Sequence, residues 1–276
     1  VTKGGVLKTS LTLNVARMAA LHGMRTLVIG LDLQGDISNA IGYNQGVEDE
    51  AFESAIEKID QTRGLADVFF KRCSVEDAIA KTDLPTLDLI PETPELVALE
   101  QSLIHRARRE VWLKEQVIAP LKSKYDLFVI DCSPNWNQLI TNALSASDVL
   151  LSPLECKINN YRNFQMFRSF VSEFIEEMDL ELQHLYVPTR WTQSRKLSTE
   201  IKEWYLNQVE DCVPVAIRDS VVGEEATALH LSVAEHDPGS NAALEMNEAL
   251  AWVWKRIVPG VDRIQSQSKT QTEAEA

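Results

Sequence analysis

The sequence predicts an α/β protein: a mostly parallel central sheet with helices on both faces. Short apolar runs rich in β-branched residues recur along the chain, amphipathic stretches separate them, and a glycine pair stands just ahead of the first helical stretch. Such alternation is the pattern of a parallel sheet, because each crossover between parallel strands lays a helix on one face or the other.

The elements follow in order. From residue 9 to 22 the apolar positions Leu13, Ala16, Ala20 and Leu21 have helical spacing, and Gly23 suits a left-handed C-terminal cap. Thr26, Leu27, Val28 and Ile29 form a short apolar run, and residues 126–131 form another, both fitting buried parallel strands. Residues 148–152 and 184–187 are two further strand candidates, while 94–104, 163–178, 196–209 and 241–258 are amphipathic. The stretch 45–62 is acidic and weakly periodic, and reads as a solvated insertion or lid, or else as a plain surface helix. One domain is expected over residues 1–261, followed by a polar tail at 262–276 expected to be disordered.

Composition narrows the function classes. With 276 residues, 45% hydrophobic and 25% charged, the chain falls in the ordinary range of one large globular domain. No apolar run approaches the roughly 20 residues that span a bilayer, and the expectation is a cytoplasmic protein with no membrane partner. Cys73, Cys132, Cys156 and Cys212 lack C-x-x-C spacing, which argues against a disulfide framework or a zinc site. A net charge of -14 opposes approach to nucleic acid unless the basic residues gather on one face.

The segment Lys3, Gly4, Gly5, Val6, Leu7, Lys8, Thr9, Ser10 is a candidate phosphate loop. Paired glycines let backbone N–H groups converge on phosphate oxygens, the following helix N-terminus adds partial positive charge, and Lys8 reaches the β- and γ-phosphates. Thr9 would then ligate Mg²⁺. The strict pattern G-x-x-x-x-G-K-[ST] is not met, since Thr2 and Leu7 stand at its glycine positions. A phosphate loop is normally delivered by a central strand, and only Val1 and Thr2 precede this one, so that strand is expected upstream of residue 1.

Lys3-Gly4-Gly5-Val6-x-Lys8-Thr9 resembles the deviant Walker A motif of the ParA/MinD family of P-loop ATPases. The resemblance continues in order through most of the chain. Residues 23–35 are similar to the family's second strand and its Asp-x-Asp-Pro-Gln-Gly turn, and Asp131-Cys132-Ser133-Pro134 to its Walker B end. Asn142-Ala143-Leu144, Asp148 and Pro153 extend the match, and residues 235–243, Glu-His-Asp-Pro-Gly-Ser-Asn-Ala-Ala, resemble the ParA branch.

That resemblance implies ATP and Mg²⁺ as cofactors and assigns roles. Lys3 would cross a dimer interface to the partner's nucleotide, and Lys8 would hold the phosphates. Thr9 with Asp131, and Asp32 nearby, would serve the metal, while Asp32 would orient the hydrolytic water. Gly30 replaces the turn's first Asp and Leu33 its Pro, so metal affinity or turnover is expected to be reduced. Thr189 and Arg218 stand where the family places residues near the base. His105, Arg106, Arg108 and Arg109 read as a solvated helix face.

The function implied is an ATP-dependent homodimer of the ParA type, acting in DNA partition through non-specific DNA and a ParB-like partner. Arg190, Arg195, Lys196, Lys255, Arg256 and Arg263 are its candidate phosphate contacts, or else plain surface charge. A positioning ATPase for a protein cargo is the alternative. A MinD-like membrane regulator ranks last, because the tail from 265 is too polar for an amphipathic anchor.

Overall fold

The computed structural model describes residues 7–34, 36–43 and 61–257. Residues 45–60 of the acidic segment and the expected tail at 262–276 lie outside the described residues.

Helix α1 (Lys8–Leu21) leads into strand β1 (Thr26–Leu31) through Gly23, whose φ of 82° is the left-handed cap expected there. After α2 (Asp36–Ala40) and α3 (Leu65–Phe69) come β2 (Ala80–Lys81) and β3 (Leu87–Ile90). Helix α4 (Leu96–Leu103) follows, then a 3-10 turn Arg109–Val111, a π-helical stretch Lys114–Ile118 and the short α5 (Ala119–Leu121). The second half runs β4 (Leu127–Cys132), α6 (Gln138–Ala146), β5 (Val149–Glu155), α7 (Asn160–Met178) and β6 (Gln183–Trp191). It ends with α8 (Lys196–Gln208), β7 (Ile217–Arg218), α9 (Val221–Ala228), α10 (Val233–His236) and α11 (Asn241–Ile257).

The strands form two sheets, ordered β2-β3-β1-β4 and β5-β6-β7, and every pairing is parallel except that of β2 with β3. Helix α1 covers both from one side. Its Leu13, Ala16 and Ala20 pack on Val28, Leu87 and Leu89, while its Leu11, with Val15 and Met18, meets Val149, Leu151, Leu185 and Val187. Helix α6 bridges them from the other side, with Leu139 and Ala143 against the β1 and β4 layer and Ile140 and Leu144 beside Leu150. Among the described residues β4 and β5 therefore present facing, unpaired edges between two helical layers. The apolar residues 127–130 and 149–151 along those edges stay half-buried.

Burial on both faces makes the sheet strands continuous apolar runs, as β1 shows with all six residues buried. Strand β3 carries the same signature over only four residues and includes Asp88, which hides it from a pattern search. That carboxylate accepts from Lys81 Nζ at 2.8 Å and Tyr125 Oη at 2.7 Å. The basic cluster at 105–109 is not a helix face. It lies beyond the end of α4, where Arg108 is left-handed (φ 57°) and pairs with Glu115, Arg109 pairs with Glu110, and Arg106 stacks over Phe69.

Arg17 locks α1 in place. Only 1% of its side chain is exposed, and its guanidinium donates to Asp83 at 3.0 Å and to Glu235 of α10 at 2.7 and 2.9 Å. Burial opposes its charge, yet the two carboxylates hold its proton affinity above the ordinary arginine value.

Candidate functional site

The site is built around the first turn of α1. Leu7 precedes the helix in the left-handed region, with φ 68° and ψ 25°, the conformation a glycine would take at no steric cost. That backbone turn starts α1 at Lys8. Leu7 offers no side-chain cap, and the first rung is Leu11 N–H to Leu7 C=O. The N–H groups of Lys8, Thr9 and Ser10 are thus free of intrahelical acceptors and face forward with the positive end of the helix dipole. Such a terminus binds anions.

Asp131 closes the site from the sheet. It stands near the end of β4, in register with Gly30 of β1, and is 1% exposed. Thr9 Oγ1 donates to its Oδ2 at 3.2 Å, and Thr12 Oγ1, one turn further along α1, donates to its Oδ1 at 2.9 Å. Burial dominates its electrostatics, raising its pKa to about 6. The Thr12 hydrogen bond and Lys8 oppose that rise, and the negative charge of Glu92 adds to it. A hydroxyl and a carboxylate at a helix N-terminus are hard oxygen donors, the type Mg²⁺ takes. Among the described residues no three His, Cys, Asp or Glu side chains gather into a metal cage, so a cation here would need phosphate and water oxygens as well.

Asp32 lies one residue past β1 and is 6% exposed. Its Oδ1 accepts from the Gln34 N–H at 3.2 Å, which folds the turn back over the strand end. The carboxylate is thereby held at the same end of the sheet as Asp131, where α1 begins.

A cavity of about 280 Å³ opens on the other flank of the α1 terminus. Leu7, Ser10 and Asn14 line it from α1, Arg218 from β7, Gly223 from α9 and Met246 from α11. Asn14 is fixed by two hydrogen bonds, donating to Ser10 C=O at 2.7 Å and accepting from Val233 N–H at 2.9 Å. Arg218 reaches the wall but is committed to Glu245, donating Nη2 and Nε to Oε1 at 2.7 and 3.0 Å, and it stacks over Trp191. Thr189 is fully buried in β6 between β5 and β7 and does not line the cavity.

Of the residues singled out from sequence, the fold brings Leu7, Lys8, Thr9, Ser10, Asp32 and Asp131 to one end of the sheet. Lys3, Gly4, Gly5 and Val6 lie outside the described residues, as does Gly35. Sequence reasoning missed Thr12, Asn14, Arg17 and Glu92. Thr12 follows Thr9 by three positions and so shares its face of α1, a signal that was legible. Glu92 lies two residues past β3, far along the chain, and nothing local marks it.

Residues 1–184 match the AAA domain family. The sporulation initiation inhibitor protein Soj of Bacillus subtilis is 28% identical over 247 residues, covering 87% of this chain and 90% of that protein. The chromosome partitioning protein ParA of Myxococcus xanthus is 32% identical over 155 residues, covering 56% of this chain and 50% of that protein. Among solved structures, a plasmid partition protein from Borrelia burgdorferi bound to AMPPNP shares the fold with a TM-score of 0.74 and 20% identity, over 93% of this chain and 96% of that one. By these matches the chain belongs to the AAA domain family and to the ParA/MinD family of P-loop ATPases.

Proposed function

We propose that the protein is an ATP-dependent switch of the ParA type that hydrolyses ATP slowly and serves DNA partition. The observation that carries this reading is the convergence of Lys8, Thr9 and Asp131 at the α1 N-terminus beside a nucleoside-sized cavity. Lys8 and the α1 N–H groups hold the β- and γ-phosphate charge, and Thr9 with Asp131 holds Mg²⁺. The metal supplies charge neutralisation of the phosphates. Asp32 orients the attacking water from the turn after β1. The cavity lined by Ser10, Asn14 and Met246 takes the nucleoside, with Arg218 as its polar wall; Thr189 supports that wall from within the sheet.

Lys3 has its role from the loop pattern: it reaches the nucleotide of a second copy, which makes dimerisation depend on ATP. The partner at work would be a ParB-like protein, and the ATP-bound dimer would hold non-specific DNA through its phosphates.

Charge favours a second reading, a positioning ATPase for a protein cargo. Several candidate phosphate contacts are occupied: Arg190 pairs with Asp219 at 3.2 Å, Lys196 with Glu200 at 3.6 Å, and Arg256 lies 3.4 Å from the Trp252 ring. The net charge of -14 acts in the same direction. Retention of DNA by the purified protein with ATP, with ADP and without nucleotide, across a salt series, separates the two. Salt-sensitive retention only with ATP supports partition, and no retention in any state moves the reading to a protein cargo.

A further inference from the structure

Gly30 is the one residue of β1 without a side chain, and its neighbours explain why. It pairs in register with Asp131, and alternation places both on the α1 side of the sheet. Leu27, Ile29 and Leu31 face the opposite layer, while Val28 faces α1 and α2. A Cβ built on Gly30 would lie 2.3 Å from Glu92 Cδ, 2.5 Å from its Cγ and 2.7 Å from its Oε1. Those separations are far inside van der Waals contact. The side chain of Glu92 thus fills the volume that a side chain at position 30 would enter.

Glu92 arrives two residues after β3 and is half-buried. Its carboxylate accepts from the Ile37 N–H at 3.3 Å and from the Ser38 hydroxyl, both in the first turn of α2. Helix α2 follows directly on the Asp32 turn, so Glu92 ties that turn to the sheet. No described residue forms an ion pair with Glu92, and its charge is felt at Asp131. Two carboxylates, Asp131 of β4 and Glu92 from the segment just after β3, therefore stand on one face of the sheet, with Lys8 the cation acting on Asp131.

We propose that Glu92 is a positioning residue of the nucleotide site, supplying from just after β3 the second carboxylate that β1 lacks at Gly30 and anchoring the Asp32 turn through α2. The charge adds to that of Asp131 in attracting a hydrated divalent cation. The anchoring fixes where Asp32 stands relative to it. This rests on the nucleotide-binding reading of the site, and it gives the site a second carboxylate in place of the one absent at position 30.

The test uses the full chain with ADP and Mn²⁺ as the paramagnetic probe, read by electron paramagnetic resonance, with thermal melting alongside. Glu92→Gln keeps the shape and an acceptor oxygen while removing the charge. It should melt like the wild type and weaken Mn²⁺ binding to the ADP complex about tenfold, the scale for groups acting behind direct ligands. Gly30→Asp alone should lower the melting temperature, since its side chain meets Glu92. Combining Gly30→Asp with Glu92→Ala should recover both melting and Mn²⁺ affinity by returning the carboxylate from β1. Unchanged Mn²⁺ affinity in Glu92→Gln, or a double variant binding Mn²⁺ no better than Glu92→Ala, would overturn the proposal. ADP binding measured in EDTA separates the two levels: a wild type that binds no nucleotide refutes the site itself, whereas normal ADP binding leaves only Glu92 in question.

Discussion

Asp131 shows at the scale of one residue how the site works. A carboxylate that is 1% exposed would be expelled from the interior unless something met its charge, and two threonine hydroxyls on successive turns of α1 do so. Lys8 is the cation acting on Asp131, and in the proposed reading it would also meet the phosphates. Lys8→Ala should therefore abolish ATP binding; calorimetry checks it, and unchanged affinity would mean that the loop is not a phosphate site. Asp32 is held differently, by the Gln34 N–H in its own turn. Asp32→Ala should bind ATP and dimerise as before yet hydrolyse it about 10²–10⁴-fold more slowly, the range for loss of a water-positioning group. Single-turnover rates equal to wild type would remove Asp32 from that role. Lys8 and Asp32 were singled out from the sequence because short motifs carry them; Glu92 was not, because its place comes from a glycine 62 positions earlier in a neighbouring strand.

Elements are joined by buried polar contacts as much as by apolar packing. Arg17 couples α1 to α10, whose Glu235 begins the segment 235–243 that resembles the ParA branch, and Ser232 with Glu235 caps α10 in the same cluster. Arg17→Met should leave the half-buried Glu235 without its cation and lower stability by about 3 kcal/mol. That is the low end for breaking a buried pair, because Asp83 remains half exposed. Urea denaturation measures it, and a change under about 1 kcal/mol would show that the clamp is not structural. In the second sheet, His184 of β6 is held between Ser152 Oγ at 2.9 Å and Tyr186 Oη at 3.0 Å. Burial drives its pKa down to about 3 from an ordinary 6.5. The unfolded chain then binds the extra proton between those values. The stability this contributes is complete above pH about 6.5 and is lost as pH falls toward 3, with a slope approaching 1.4 kcal/mol per pH unit. Denaturation midpoints at pH 7, 6 and 5 should fall more steeply for the wild type than for His184→Gln, and parallel curves would exclude His184 as the cause.

For the whole molecule the prediction concerns assembly. The protein should be monomeric or weakly associated with ADP and a two-fold dimer with ATP, and Lys3→Ala should bind ATP yet remain monomeric. Light scattering decides; an ATP-independent dimer that survives the substitution contradicts the role given to Lys3. The sequence by itself determined the α/β class, α1 with its glycine cap, the strands at 26–29 and 126–131, and Lys8, Thr9, Asp32 and Asp131 as one site. All of these depend on local spacing: helical periodicity, apolar runs buried on both faces, and a loop whose chemistry sits within a few residues. Only the tertiary structure decided how the sheet divides between β4 and β5, where Arg218 spends its charge, that Thr189 is enclosed, and that Glu92 lies across Gly30. Each of these is a contact between residues distant in the chain, and side-chain volume and paired charge fix it only once the strands are laid side by side.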